Sequence, residues 1–406
     1  MHRQRLEFVH ENRSPKRIAI LGGYGFDNLG DDLILSAALA RLRRTIKDAQ
    51  IKVLSSDPIE TRARHEGVVV YFSAEALVRQ FIIRFLIPFS KPHRKYVLAV
   101  PRNSHLTTFK GLWRADLVVS LGGGYLNDYS KFLTHLRFLE LIFVGLLWKP
   151  LLLYSHGIGP LQRRTLRILA RFAFKFVSYA TVRDRASLKL LSELGFPKLK
   201  AAITADESWV GGPQESLRQN PLGDKKSNNL AISLMPLQEV TNLPFGSFGR
   251  AVIDAEQANQ QVLSGIVTSI EQPDLKVRRI FFFSMRSQDT GMALRLQSLI
   301  GSQIPVEILD DTDSQYRALA RSRVLIAMRA HPIIMAAQMN VPTIAISIFP
   351  KVRDLMIDLG TNRHAATTYL SARTVLRSIL WAWCRAFPPA TAKPAQCSAV
   401  EAAGDI

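Results

Sequence analysis

Along most of this chain, short apolar runs alternate with stretches of helical periodicity, and the runs leave through glycine or charged residues. This pattern restricts the fold severely. A strand buried on both faces reads as an unbroken apolar run, and a helix after each strand is the crossover that a parallel sheet requires. The first run, 17–21, enters Gly22-Gly23-Tyr24-Gly25 and then a helical stretch at 32–44 with Leu35, Leu39 and Leu42 on one face. Further runs lie at 51–54 and 68–72. The run 117–121 leaves through Gly122-Gly123-Gly124 into a helical stretch at 131–148, and 151–154 leaves through Ser155-His156-Gly157-Ile158-Gly159-Pro160. Two shorter runs, 179–182 and 203–205, deliver Arg183-Asp184 and Asp206.

From 213 to 229 the pattern lapses into Gly, Pro, Gln, Asn, Asp and Lys, as in a linker. It then restarts, with strands expected at 230–234, 279–283, 306–309, 324–327 and 343–348. Helices are expected at 251–271, 290–300, 314–320, 332–339 and 352–359. The organisation read from this is a polar arm (1–16), a first domain (17–212), the linker (213–229), a second domain (230–387) closing on a helix at 372–385, and a Pro/Ala-rich disordered tail (388–406). The expected fold class is α/β, with two Rossmann-like domains facing across a cleft. In such sheets the ligand crevice lies at the carboxyl ends of the strands.

The charge balance narrows the partners. Lys and Arg number 53 against 33 Asp and Glu, a net charge of +20, which suits anionic partners of any class. The basic residues are dispersed, with neither a long Lys/Arg run nor an aromatic-interleaved motif, so nucleic acid is not an expected partner. Cys384 and Cys397 are too few for a disulfide framework or a cysteine zinc site, which fits a reducing, cytoplasmic setting. No signal peptide is expected, because the run 18–21 is too short for one. The most membrane-like stretch, 141–148 continued by 151–154, is interrupted by Lys149-Pro150. It stops well short of the ~20 apolar residues that a spanning helix needs. The segment 81–89, FIIRFLIPF, flanked by Arg79, Lys91, Arg94 and Lys95, suits peripheral docking on the anionic inner face of a membrane. It equally suits a core-facing helix with a solvated charged side.

Several loops carry residues with chemistry to offer. Arg329 and His331 follow the run 324–327. The first offers a permanently charged fork for carboxylate or phosphate, and the second titrates near neutral pH. A helix beginning there adds free N–H groups, whereas a surface Arg and a capping His would look the same in sequence. The glycines Gly22, Gly23, Gly25 and Gly30 do not match G-x-G-x-x-G, and no Walker-type lysine follows, so neither a dinucleotide nor ATP is implied. Asn28, Asp31 and Asp32 suit either a helix cap or a ligand contact. Tyr125 and Asp128 lie in the triple-glycine loop. No metal-ligand cluster is apparent in these loops, so no metal is expected.

Taken together, GGYGFDNLGDDLIL, DLVVSLGGGYLND, YSHGIGPL, ATVRDRASLKLLSELG, ITADESW, SMRSQDTGMA and AMRAHPIIMAAQMNVPTIAIS followed by Lys351 resemble, in order, the motifs of the polysaccharide pyruvyl transferase family. The departures are Ala330 where leucine is usual between Arg and His, Asp32 where glutamate is common, and Phe349 in a segment that usually carries tyrosine. The resemblance implies a fold similar to the two-domain GT-B glycosyltransferases. It also implies transfer of pyruvyl from phosphoenolpyruvate, as donor substrate with no further cofactor, to two hydroxyls of a sugar, forming a cyclic ketal and releasing phosphate. The acceptor sugar would belong to a surface polysaccharide or to its polyprenyl-diphosphate-linked precursor.

That reaction needs cations for the donor, a proton for carbon 3 of the enol and a base for the attacking hydroxyl. On the resemblance, Arg329, Arg183 and Lys351 bind the donor, His331 is the acid and Asp31 the base, with Asp128 or Asp206 as alternates. Gly22, Gly23, Gly25, Asn28, Gly30, Gly122, Gly123, Gly124, Asp128 and Asp206 would line the acceptor side, with Arg183 reaching across as the domains close. A nucleotide-sugar glycosyltransferase of similar shape and a non-catalytic, membrane-peripheral component of polysaccharide assembly are the competing expectations.

Overall fold

The computed structural model describes residues 16–74, 76–78, 103–128, 133–212, 228–237, 255–272, 275–347, 350–360 and 365–366. The chain divides into two compact units, residues 1–211 and 212–406. The arm before residue 16, the segment 81–89, the linker residues 213–227, Phe349, the helix expected at 372–385, the tail and both cysteines lie outside the described residues.

In the first unit the elements run β1 (Arg17–Leu21), α1 (Leu29–Thr45), β2 (Gln50–Ser55), α2 (Pro58–Arg64), β3 (Val69–Phe72), α3 (Ser104–Trp113), β4 (Leu117–Leu121), α4 (Leu133–Leu146), β5 (Leu151–His156), α5 (Arg164–Phe174), β6 (Tyr179–Val182), α6 (Arg185–Glu193) and β7 (Ala201–Ile203). The strands form one parallel sheet in the order β3-β2-β1-β4-β5-β6-β7. Side chains alternate across it as the pleat requires. Ile18, Ile20, Ile51, Val53 and Val119 pack with Leu35 and Leu39 of α1 on one face. Ala19, Leu21, Val118, Leu151 and Leu153 pack with Leu112 of α3, Phe138 and Leu141 of α4 and Phe174 of α5 on the other. The chain steps outward from β1 to β3, then returns to the far side of β1 to lay down β4. The topological switch point therefore lies between β1 and β4. Leu21 stands opposite Ser120 in the register, so the two glycine loops leave the sheet side by side.

The second unit repeats the scheme with β8 (Asn229–Ser233), α7 (Ala255–Ile270), β9 (Arg279–Phe283), α8 (Thr290–Ile300), β10 (Val306–Leu309), α9 (Thr312–Ala320), β11 (Ser322–Ala327), α10 (Ala330–Gln338), β12 (Thr343–Ile346), α11 (Pro350–Asp358) and β13 (Ala365–Ala366). Its parallel sheet has the order β10-β9-β8-β11-β12-β13, with the switch point between β8 and β11.

The departures from expectation have local causes. α1 begins at Leu29 rather than at 32 because Asn28 caps it, its side chain accepting from Gly30 N at 3.2 Å. α10 begins at Ala330, which leaves Pro332 inside the first turn, where a missing N–H costs nothing. The run expected at 203–205 pairs instead as Ala201–Ile203, and Thr204 and Ala205 carry the chain to Asp206. Two helices were not anticipated, α2, capped by Asp57 with Pro58 at its start, and α3. Among the described residues, no helix is long and apolar enough to cross a membrane.

Candidate functional site

At the switch point of the first unit, two glycine loops enclose one carboxylate. A Cβ on Gly22 would fall 2.3 Å from the ring of Tyr24, which is buried beneath it, and Gly25 turns at φ +74 against the backbone of Asp57. Only glycine allows this packing. Asp31, in the first turn of α1, receives a hydrogen bond from Asn28 Nδ2 at 2.7 Å. Its two carboxylate oxygens lie 3.6 Å from the Cβ position of Gly23 and 3.4 Å from that of Gly123. Asp31 thus stands between the loop after β1 and the loop after β4. Asn28 and Gly30 are the cap of α1, and the side chain of Asn28 both fixes the helix start and holds Asp31.

The second loop is pressed against its neighbour. A Cβ on Gly122 would meet the Ser155 carbonyl oxygen at 2.0 Å, a backbone atom that cannot swing aside. Gly122→Ala is therefore expected to cost about 1–3 kcal/mol through overpacking, read as a lowered urea midpoint at unchanged slope. Tyr125 ties the loop back to its strand, its hydroxyl donating to Leu121 O at 2.6 Å.

Beneath this loop lies His156, fully buried at the end of β5, with Nε2 donating to Ser120 O at 2.8 Å and its ring edge-on to Tyr125. Burial, reinforced by the nearby Arg183 charge, pushes its pKa down to about 3 from 6.5. The unfolded chain takes up this proton near pH 6.5 and the folded chain only near pH 3, so the unfolded state binds more protons across that window. Stability contributed by the neutral ring is present above pH 6.5 and drains away as pH falls, by about 1.4 kcal/mol per pH unit. His156→Gln, which keeps a donor for Ser120, should flatten this slope in urea unfolding measured from neutral to acid pH.

Arg183 belongs to the same crevice. Its guanidinium lies over Gly157, whose Cβ position is 2.6 Å from Nε and Nη2, and Nη2 is also 3.4 Å from the Cβ position of Gly124. Nη1 donates to Asp206 Oδ2 at 2.7 Å, and Asp206 Oδ1 accepts from the Ser208 amide and hydroxyl at 3.0 and 2.7 Å. Asp206 is thus engaged in aiming Arg183. Asp128 makes structural contacts through one of its oxygens, Oδ2. Its side chain is buried and accepts from the backbone N–H groups of Gln162 and Arg163, bracing the entry to α5, where Arg163 supplies no side-chain cap. Neither aspartate is brought beside Asp31 by these contacts.

In the second unit the counterpart is the rim where β11 and β12 end. Arg329 sits at the N-cap position of α10, beyond the switch-point strand β11. Its guanidinium is held in a fork, Nε to Asp289 Oδ2 at 2.9 Å and Nη2 to Asp289 Oδ1 at 2.5 Å. Asp289 is fully buried and also accepts from the N–H groups of Met285 and Arg286, both at 3.1 Å. Burial raises the Asp289 pKa, and the Arg329 charge opposes that rise. His331 follows in the first turn of α10, half-buried, and Lys351 is exposed at the start of α11, beyond the adjacent strand β12.

Asp289 lies in SMRSQDTGMA, a segment marked by the family resemblance, but sequence reasoning gave it no role. Its signal was modest: a carboxylate shortly after an apolar run, at the start of a helix. Among the described residues no three His, Cys, Asp or Glu side chains cluster as a metal site.

Comparison with known proteins gives the family and the fold. The family model for polysaccharide pyruvyl transferase matches residues 28–348. The amylovoran biosynthesis protein AmsJ of Erwinia amylovora is 22% identical over 382 residues, covering 86% of this chain and 88% of that protein. Among solved structures, the S. aureus MnaA–UDP co-structure superposes with a TM-score of 0.56 at 11% identity, over 90% of this chain and 87% of that one. The UDP-GlcNAc 2-epimerase of Methanocaldococcus jannaschii gives 0.54 at 12% identity, over 90% and 92%. At such identities the structural likenesses speak for the fold alone, which is α/β and GT-B-like with two Rossmann-like units. The sequence match runs from the Asn28 cap beside Asp31, through the triple-glycine loop and Arg183, to Arg329 and His331, and by it the chain belongs to the polysaccharide pyruvyl transferase family.

Proposed function

We propose that this protein transfers the pyruvyl group of phosphoenolpyruvate to two hydroxyls of one sugar in a surface polysaccharide or its lipid-linked precursor. The observation that carries the proposal is the place of Asp31. In a chain of the pyruvyl transferase family, one half-buried carboxylate lies against both glycine loops at a topological switch point, where ligands of open α/β sheets bind. The loops admit a sugar close to backbone, and Asp31 accepts the proton of the attacking hydroxyl.

The chemistry balances as follows. A first sugar hydroxyl adds to carbon 2 of the enol while carbon 3 gains a proton and becomes a methyl group. The carbon–oxygen bond to phosphate then breaks, and a second hydroxyl of the same sugar closes the ketal on the resulting oxocarbenium carbon. Of the two hydroxyl protons, one equivalent ends on the methyl group and the other on phosphate. His331 serves as the acid on the donor side, with Arg329 and Lys351 meeting the donor's carboxylate and phosphate. Arg183, a donor cation on the resemblance, stands among the glycine loops of the first unit, where it also meets negative charge carried by the acceptor, such as the diphosphate of a polyprenyl carrier.

The test is transfer from phosphoenolpyruvate labelled at carbon 3 to the sugar repeat of the surface polysaccharide. The expected product carries the label in a ketal methyl group, with phosphate released in equal amount. An unlabelled acceptor, together with displacement of bound phosphoenolpyruvate by nucleotide-sugars, would overturn the proposal in favour of glycosyl transfer.

A further inference from the structure

One face of the first unit is built unlike the rest of its surface. Helices α3, α4 and α5 form a layer over the sheet, joined through the core residues Leu112, Phe138 and Phe174. Their inner sides are apolar, as a covering layer requires, but the outer sides of α3 and α4 carry apolar stripes as well. α3 presents Leu106, Phe109 and Trp113 outward at helical spacing, and α4 presents Leu139, Phe143 and Leu146 in the same way. Trp113 is 57% exposed and Leu146 60%. The two stripes touch, with Phe109 stacked on Trp113 at 5.9 Å and 6.3 Å from Phe143. α5 extends the surface with Ile168 and Phe172, exposed at 65% and 47%. A helix that is apolar all round is ordinarily covered on every side, and an exposed apolar surface of this continuity marks a binding face.

The outward charges carried by these three helices are cationic, with Glu193 of α6 reaching Arg167 of α5 at 3.5 Å. The sole carboxylate in α3, α4 and α5 is Glu140, which is buried against Arg137 at 3.1 Å. Outward there are Lys110, Arg164, Arg171 and Lys175, all exposed, and Lys149 with its ammonium 5.9 Å from the Trp113 ring. Aromatic and aliphatic side chains set among cations, with no outward carboxylate on the three helices themselves, match the headgroup and acyl boundary of an anionic bilayer. We infer that the α3–α4–α5 face is a docking surface for an anionic lipid membrane. Phe109, Trp113 and Leu146 enter the acyl boundary while the lysines and arginines meet lipid phosphates. The inference rests on the surface alone and stands whichever donor the enzyme uses.

The test is co-sedimentation of the full chain with vesicles of phosphatidylcholine alone or mixed with phosphatidylglycerol. Anionic vesicles should retain the protein and neutral ones should retain about tenfold less. Phe109→Ser combined with Trp113→Ser and Leu146→Ser should lower retention on anionic vesicles about tenfold. Lys110→Glu with Arg171→Glu should do the same, with circular dichroism confirming that both variants fold. Transfer to a soluble acceptor should persist in both, so a failure here is distinguishable from a failure of the donor chemistry. Wild-type protein that ignores anionic vesicles would overturn the inference, as would variants that bind them undiminished. Loss of a dimer in the apolar variant, with lipid binding retained, would assign the face to a second copy of the chain instead.

Discussion

Arg329→Ala is expected to abolish transfer from phosphoenolpyruvate and, in the same stroke, to destabilise the second unit by about 3–5 kcal/mol. The second effect follows from the Asp289 fork. Removing the guanidinium strands a fully buried carboxylate that keeps only two backbone N–H donors, at Met285 and Arg286. The two losses can be separated. Arg329→Met combined with Asp289→Leu removes the charge and its partner together, and apolar replacements of a buried ion pair are commonly neutral or better. The double variant should regain most of the stability in urea unfolding and none of the activity. If activity returned along with stability, Arg329 would be a structural residue and the donor assignment would fall.

The second large effect is expected at Asp31. Asp31→Asn keeps an oxygen to accept from Asn28 Nδ2, so the cap of α1 and the fold should survive unchanged. What is lost is a carboxylate able to take a proton. General-base contributions run to about 10²–10⁴-fold, so kcat should fall by that order while KM for phosphoenolpyruvate moves little. A rise in KM for the acceptor at unaltered kcat would recast Asp31 as a binding group.

Much of the sheet could be read directly, because strands buried on both faces leave unbroken apolar runs. The segments 117–121, 179–182, 279–283 and 306–309 pair over the residues anticipated. α3 escaped because its apolar residues point both inward and outward, which blurs the period by which an amphipathic helix is recognised. The candidate site was legible as loops but not as pairs. Nothing in the spacing of Arg329 and Asp289, forty residues apart, foretells their fork. It arises because the sheet order sets β11 and β9 on either side of β8. The backbone contacts of Asp128 were hidden for the same reason. An aspartate in a glycine-rich loop looks like a ligand group until the fold brings the start of α5 to it, thirty-four residues later.

Arg183 and Arg329 share one more property. Each is matched by a buried carboxylate of its own unit, so each is half of an electrically balanced pair held in a fixed orientation. A bare cation draws anions from a distance and loses that pull as salt rises, over a Debye length of about 8 Å at physiological ionic strength. A neutralised fork does little of either. It selects a ligand at contact, by the angles of its hydrogen bonds. In a cell crowded with inorganic phosphate and nucleotides, such a pair discriminates by shape among anions that a naked arginine would hold indiscriminately.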